Sequence, residues 1–443
     1  MLAAGLIVAR PQAAPFPACV LPVAGTAIVL GMLHGRRGGT ANWLLTLRPV
    51  VYIGKISYSL YLWHWPVFVL FRWTVGLEGP VERVAALAIT AILSVISYHL
   101  VEQPPRRFAR GAKKPAMIAA GLLLIVSGYV VSSAVASNQP QISLSTVTRN
   151  MMLWYPSGCQ PIQTTRDFAG GTELVYTRGG CNAPVTYTHS IFVLGDSHAL
   201  AYVGMFRKMV VETGTTVHAY NVGGCPFISL QAHSPGRDEQ CKAFGAASVA
   251  DMLPQIKPGD IVLLASLRLP RMVDQWAASG LQGALDVMHS QEAADGRRDG
   301  VAEALPIPRT MTARSAHVVF EAPTPMLQSI PFRCADWFNR SNPICALGLS
   351  MPRAQLEAMR APILASYKQM EQSVPGVSVW DPLPVICPSS ECNAYRDGKP
   401  LLFDGDHISF YTNTLLLPSF QAYVETLNPS SGAPAPADSA TVQ

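Results

Sequence analysis

A serine hydroxyl attacks a carbonyl only when a neighbouring base can take its proton and an acid holds that base in orientation. Two short stretches of this chain supply those residue types. "SIFVLGDSHAL", residues 190–200, sets Gly195, Asp196, Ser197 and His198 behind a run of apolar residues. "LLFDGDHISFYTN", residues 401–413, reads as a short apolar strand that ends at Asp404 with a helix following, and sets Asp404 and His407 three apart, a spacing that lets a carboxylate and an imidazole lie side by side on a turn. Ser197 is the candidate nucleophile, His407 its base and Asp404 the acid that orients the base. Each stretch alone has a plainer reading. Asp196 or Ser197 could cap a helix, and an Asp-rich turn could carry an incidental histidine or hold a cation.

Such residues need elements that hold them in place. Ile191, Phe192, Val193 and Leu194 show no polar alternation, the pattern of a strand buried on both faces of a parallel sheet. Open α/β sheets place ligands at the carboxyl ends of such strands. The first N–H groups of a following helix would point into that space. Apolar runs at 190–195, 216–222, 260–266, 316–322 and 377–381 predict strands, and 199–213, 241–256 and 354–373 predict amphipathic helices. Alternating strand and helix implies an α/β domain over 190–428, a parallel sheet with helices on both faces. Residues 138–189, with scattered Gly and Pro, read as an irregular linker or extension. The stretch 291–310, containing Gly296, Arg297, Arg298 and Gly300, reads as a surface excursion, and 429–443 as a disordered tail.

The chain has 443 residues, enough for two or three domains. It is 49% hydrophobic and only 14% charged, where soluble proteins carry about 25% charged residues. The apolar excess lies before residue 140. Segments near 13–33, 50–73, 82–101 and 116–137 each approach the ~20 residues needed to cross a bilayer, so 1–137 is expected to be a membrane segment of four helices. Arg36, Arg37 and Arg48 separate the first two spans; Arg106, Arg107, Arg110, Lys113 and Lys114 separate the last two. Basic loops stay in the cytoplasm, which puts residue 138 onward on the far side. The net charge of +5 sits largely in these loops, so it speaks for membrane orientation and against a nucleic-acid partner.

Eight of the nine cysteines, Cys159, Cys181, Cys225, Cys241, Cys334, Cys345, Cys387 and Cys392, lie beyond the last span. An even number confined to the translocated part predicts disulfides in an oxidising compartment. Cys/His pairs at zinc-ligand spacing are lacking, so no metal is expected. Pairing of sequential neighbours is preferred because it closes short loops, but the connectivity stays open.

The same motifs carry a resemblance. Gly195-Asp196-Ser197-His198 with Asp404-x-x-His407 resembles the SGNH, or GDSL-like, hydrolase family, whose members hydrolyse or transfer acyl groups on carbohydrates and lipids. The resemblance implies a three-layer, flavodoxin-like fold and the Ser197, His407 and Asp404 roles given above. It implies an oxyanion hole from the Ser197 N–H and a glycine matched by Gly223 or Gly224 in "NVGGCPF". The family's Asn block after the third strand is replaced by "IVLLASLRLP", where Ser266 or Arg268 stands near the expected Asn.

The membrane portion, "VYIGKISYSLYLWHWPVFVLF" (51–71) with "VEQPPRRF" (101–108), resembles the C-terminal part of the acyltransferase-3 family of multi-pass membrane acyltransferases. Bacterial members fused to a periplasmic SGNH domain share the "GDSH" motif, a cysteine pair like Cys387 and Cys392, and "DxDH". His64, an ionisable residue just inside a span, is a possible membrane-site residue; a structural hydrogen bond to a neighbouring helix is the equal alternative, and an interfacial aromatic belt the plainer role of Tyr61, Trp63 and Trp65.

The resemblance implies an O-acyltransferase, acetyl being the expected group, acting on a cell-surface or periplasmic glycan such as lipopolysaccharide O-antigen or exopolysaccharide. It places the chain in the bacterial inner membrane, with no bound cofactor and an acyl-CoA as the cytoplasmic donor. The alternatives are a membrane-anchored glycan esterase and a non-catalytic polysaccharide-binding domain. The family's first core spans, which carry its basic-residue-to-histidine motif, have no counterpart here, so a missing N-terminal membrane half is an expected partner.

Overall fold

The computed structural model describes residues 20–33, 38–111, 114–145, 147, 158–180, 182–228, 230, 237–273 and 279–428. The tail expected beyond residue 428 lies outside them. The chain forms two compact units, Met1–Phe71 with Leu77–Val126, and Arg72–Gly76 with Ser127–Gln443.

Two of the four expected spans meet the length and apolarity of a membrane-crossing helix among the described residues, Pro80–Phe108 in the first unit and Lys114–Ser137, which runs from the first unit into the second. The count of four is therefore not reproduced. The helix Arg48–Trp73 has 26 residues, but Ser57, Ser59, His64, Pro66 and its tyrosines and tryptophans lower its hydropathy. The first expected span is described only as Val20–Leu33, 14 residues. The helix Pro80–Ser97 continues through a π-helical turn, Tyr98–Glu102. There His99 Nε2 lies 3.0 Å from the Tyr52 hydroxyl and Glu102 accepts a hydrogen bond from Ser59. These pairs tie the 51–71 and 101–108 motifs together.

The second unit is built on a seven-stranded sheet. Its strands are β1 (Gln160–Phe168), β2 (Gly171–Gly179), β3 (Ile191–Gly195), β4 (Val217–Asn221), β5 (Ile261–Ala265), β6 (His317–Glu321) and β7 (Val377–Trp380). Their order is β1-β2-β4-β3-β5-β6-β7. The five strands from β4 to β7 are parallel, and each lies within about a residue of an apolar run in the sequence. β3 and β5 are buried along their whole length, so both sheet faces are covered. The order 2-1-3-4-5 within this parallel set is the flavodoxin-like one, with its switch point beside the first strand.

Three expectations are corrected. The 138–189 region is not irregular throughout: β1 and β2 form an antiparallel hairpin, and β2 pairs antiparallel with β4, making the sheet mixed. Ala169 (φ 47°) and Gly170 (φ 82°) make its two-residue turn, both left-handed as a type I′ turn requires. The 291–310 stretch is not a surface excursion but the helix Gln291–Ala304 followed by Pro306–Thr312. Its glycines face inward: Ala293, Gly296, Gly300, Val301 and Ala304 form one buried stripe at helical spacing. Finally, Leu401–Phe403 is no strand. It opens a tight loop closed by a single bridge between Leu402 and Ile408, after which the helix Phe410–Leu427 begins.

Disulfides Cys225–Cys241, Cys334–Cys345 and Cys387–Cys392 join sequential neighbours. Cys159 is disulfide-bonded as well, and Cys181 lies outside the described residues.

Candidate active site

Gly195 ends β3 opposite Asn221 of β4 and Ala265 of β5. A Cβ there would lie 1.7 Å from the Ala265 carbonyl oxygen, so only glycine lets the chain turn out of the sheet at this point. The next residue, Asp196, caps the short helix Ser197–Ala201: its carboxylate accepts the His198 N–H at 2.9 Å. The same carboxylate accepts the Leu267 N–H at 3.1 Å, tying the turn to the end of β5. With Asp196 in the capping role, the Ser197 hydroxyl is left for another partner.

That partner is His407. Ser197 Oγ lies 2.7 Å from His407 Nε2 across 210 positions of sequence. On the other side of the ring, His407 Nδ1 lies 2.8 Å from Asp404 Oδ2. Asp404 Oδ1 accepts the backbone N–H groups of Asp406 (3.0 Å) and His407 (2.7 Å), which fixes the carboxylate from within its own loop. This bond assigns the Nδ1 proton to the Asp404 side, leaving Nε2 able to accept from the serine. The sequence spacing thus comes together as one hydrogen-bonded line.

Two residues that the sequence motifs contained without an assigned role, His198 and Asp406, complete the surroundings together with Arg271, the residue just after "IVLLASLRLP". Asp406 is buried (2% exposed), and its Oδ2 accepts from His198 Nε2 at 3.0 Å and from Arg271 Nε at 2.6 Å. Its other oxygen lies 3.4 Å from His407 Nδ1. The His198 and His407 rings stand 4.4 Å apart. Burial alone would lower the affinity of His407 for a proton, but Asp404 and Asp406 outweigh it and raise that affinity above the ordinary imidazole value. The imidazolium formed when the serine proton arrives is therefore strongly held. Burial alone would raise Asp406, yet its bonds to His198 and His407 hold it well below the carboxylate range. His198, Asp406 and His407 gather within 4.8 Å of one another, and the Arg271 guanidinium already supplies the positive charge at Asp406.

Ser266 and Arg268 stand directly after β5, Ser266 Oγ being 3.0 Å from where a Gly195 Cβ would lie. Both are buried, and both hold the loop after β4. Ser266 Oγ accepts the Phe227 N–H at 3.1 Å. Arg268 donates to the carbonyls of Phe227 (2.9 Å) and Ile228 and to the Tyr367 hydroxyl (2.9 Å), so each guanidinium nitrogen has a partner. Gly223 and Gly224 form an exposed turn just beyond β4, at the same sheet end as Ser197 and one strand away. His64 lies exposed on its helix, Nδ1 2.5 Å from the Tyr61 carbonyl of the same helix, a local bond and not the expected one to a neighbouring helix.

A family model described as "SGNH domain (fused to AT3 domains)" matches residues 158–422. The chain is similar to "O-acetyltransferase OatA" of Staphylococcus aureus (strain NCTC 8325 / PS 47), 37% identical over 103 residues, covering 21% of this chain and 17% of the relative. It is 30% identical over 137 residues to "Putative membrane-bound transacylase BcsY" of Komagataeibacter xylinus, 31% of this chain and 34% of that one. The matches thus span about a third or less of these relatives' own length. Among solved structures, the Salmonella ser. Paratyphi A lipopolysaccharide acetyltransferase periplasmic domain covers 54% of this chain and 84% of its own, with 12% identity and a TM-score of 0.34. With the family model spanning more than half of its length, the chain belongs to the family of SGNH domains fused to AT3 domains.

Proposed function

We propose that the chain is a membrane-anchored O-acyltransferase that places an acyl group, acetyl in the first instance, on a hydroxyl of a cell-envelope glycan. The observation that carries this reading is the line from Ser197 through His407 to Asp404, with Asp196 relieving the serine of capping. The relatives named as an O-acetyltransferase and a transacylase support the direction of the chemistry. The helices Pro80–Phe108 and Lys114–Ser137 support the anchor.

In this mechanism Ser197 Oγ attacks the acyl carbonyl as His407 Nε2 takes its proton. The developing oxyanion is met by the Ser197 N–H, with Gly223 or Gly224 as the second donor. Each such donor is worth roughly 2.7–4 kcal/mol of barrier. Collapse breaks the bond to the donor, whose leaving atom takes the proton from His407. A glycan hydroxyl then gives its proton to His407, attacks the acyl-serine and releases Ser197, which recovers the proton. The donor implied by the family resemblance is a cytoplasmic acyl-CoA, whose acyl group further membrane spans would carry across. Asp404 holds the Nδ1 proton throughout and accepts none.

The full chain in detergent, given an activated acetyl ester, should gain one acetyl mass on the peptide containing Ser197, and Ser197→Ala should lose both adduct and turnover while melting at the same temperature. Turnover unchanged in that variant would overturn the reading. Acetyl recovered on added envelope glycan marks transfer; acetyl recovered only as free acetate marks the esterase.

A further inference from the structure

Behind the reacting line lies a second layer of ionisable groups that the acyl-transfer chemistry does not use. Asp406 contributes one carboxylate oxygen toward His407 Nδ1, at 3.4 Å, and the other to both His198 Nε2, at 3.0 Å, and Arg271 Nε, at 2.6 Å. Three separate segments meet there: the helix that begins at Ser197, the segment after β5 and the 401–409 loop. The loop is pinned from below by Gly405, where a Cβ would meet Val273 Cγ1 at 2.5 Å and the Leu327 carbonyl at 3.1 Å. Phe403 N–H also donates to the His407 carbonyl at 2.7 Å.

We propose that His198, Asp406 and Arg271 form a positioning brace for His407, in which Asp406 is a second carboxylate serving the imidazole and Arg271 and His198 hold that carboxylate in place. The proposal rests on the reading of His407 as the base for Ser197. One carboxylate on Nδ1 leaves a ring free to tilt about that bond, and a second, arriving from another direction, removes the tilt. Asp406 is suited to this because its backbone is bonded to Asp404 and its far oxygen to two donors, so it cannot rotate without breaking both. Arg271 is the only one of the brace residues with an appreciable exposed surface, its side chain being 40% exposed. It lets the solvent-facing edge of the site carry the charge that Asp406 needs.

The groups facing His407 are Ser197 and His198 from the helix after β3, Asp404 and Asp406 from its own loop and, through Asp406, Arg271 from the segment after β5. Among them Asp406 stabilises the imidazolium and Arg271 opposes it. The two therefore have opposite signs, and a merely structural role has none. Both can be read without turnover, by following the His407 ring resonance against pH in the full chain carrying 13C-labelled histidine, the resonance being assigned by its loss in His407→Asn. Asp406→Asn should lower the His407 midpoint by about one pH unit or more, the usual effect of losing a carboxylate at this distance. Arg271→Gln, at a half-exposed position that leaves the core intact, should raise it. The acidic limb of any acyl-release profile should move in the same two directions. Midpoints that stay put, or that move the same way in both variants, would refute the brace; if only Asp406→Asn fails to fold, the rise in Arg271→Gln still decides. Retained turnover in Ser197→Ala would instead overturn the acyl-serine reading, and the titration would stand apart from it.

Discussion

Glu321 ends β6 with its carboxyl 1% exposed, a position where a charge is costly. Burial pushes it up to about 8, and the Tyr202 hydroxyl that donates to it at 2.5 Å offsets only part of this. Below the unfolded value of 4.5 the carboxyl is protonated in both states. Between 4.5 and 8 the unfolded chain has released that proton and the folded chain keeps it, so this group makes stability fall as pH rises through the window. At about 1.4 kcal/mol per unit, the loss amounts to a few kcal/mol. Glu321→Gln keeps the shape and an acceptor for Tyr202 without titrating. Its melting temperature should therefore decline less than that of the parent between pH 5 and pH 8; parallel declines would show that Glu321 is ionised in the fold. Nothing in the sequence announced this residue, because a lone glutamate at the end of an apolar run looks like a strand meeting solvent. Ser197, Asp404 and His407 were legible because their neighbours dictate local geometry: a glycine turn and a three-residue carboxylate–imidazole spacing. The pairing of His198 with Asp406 spans 208 positions and is made by the sheet. Arg271 stands three residues beyond Arg268, and which of the two cations reaches the site is settled by how the segment after β5 folds back.

The strands of the parallel core were readable because burial on both faces demands uninterrupted apolar residues. Where an element is polar the signal weakens. β1 is exposed along most of its length, so it carries no apolar run, and only its turn residues mark the hairpin. The helix Gln291–Ala304 hides its inward stripe in alanine and glycine, which bury little area but allow close approach. The apolar triplet before Asp404 failed the opposite way: it packs inward without pairing as a strand beyond a single bridge. Gly195 is where an element and the site meet. Gly195→Ala would drive a methyl into the Ala265 carbonyl at the centre of the sheet, where neither backbone can retreat. Overpacking of this kind costs roughly 1–3 kcal/mol, and here it also turns Ser197 away from His407. The variant should lose melting temperature and Ser197 acylation together. Full acylation with an unchanged melting temperature would mean the turn has slack the geometry does not show.

At the scale of the whole molecule, charge, length and redox chemistry bear on one question, the side of the membrane on which the serine works. The helix Lys114–Ser137 has 24 residues, about 36 Å at 1.5 Å per residue and enough to span the hydrocarbon core. Arg106, Arg107, Arg110, Lys113 and Lys114 precede or open it, and basic flanks are retained in the cytoplasm. After it come three described disulfides and a bonded Cys159, which persist only in an oxidising compartment. These arguments are independent, since the arginines and lysines act during insertion and the cysteines afterwards. Both argue for residues 138–443 lying outside the cytoplasm, the side that the proposed acylation of an envelope glycan requires. A reporter active only in the cytoplasm, fused after residue 428, should be silent, and the same reporter fused at residue 111 should be active. Alkylation of the intact unreduced chain should leave the cysteines beyond residue 137 unlabelled. Activity of the distal fusion, or labelling of two or more of those cysteines, would put the serine on the cytoplasmic side and remove the envelope glycan as its acceptor.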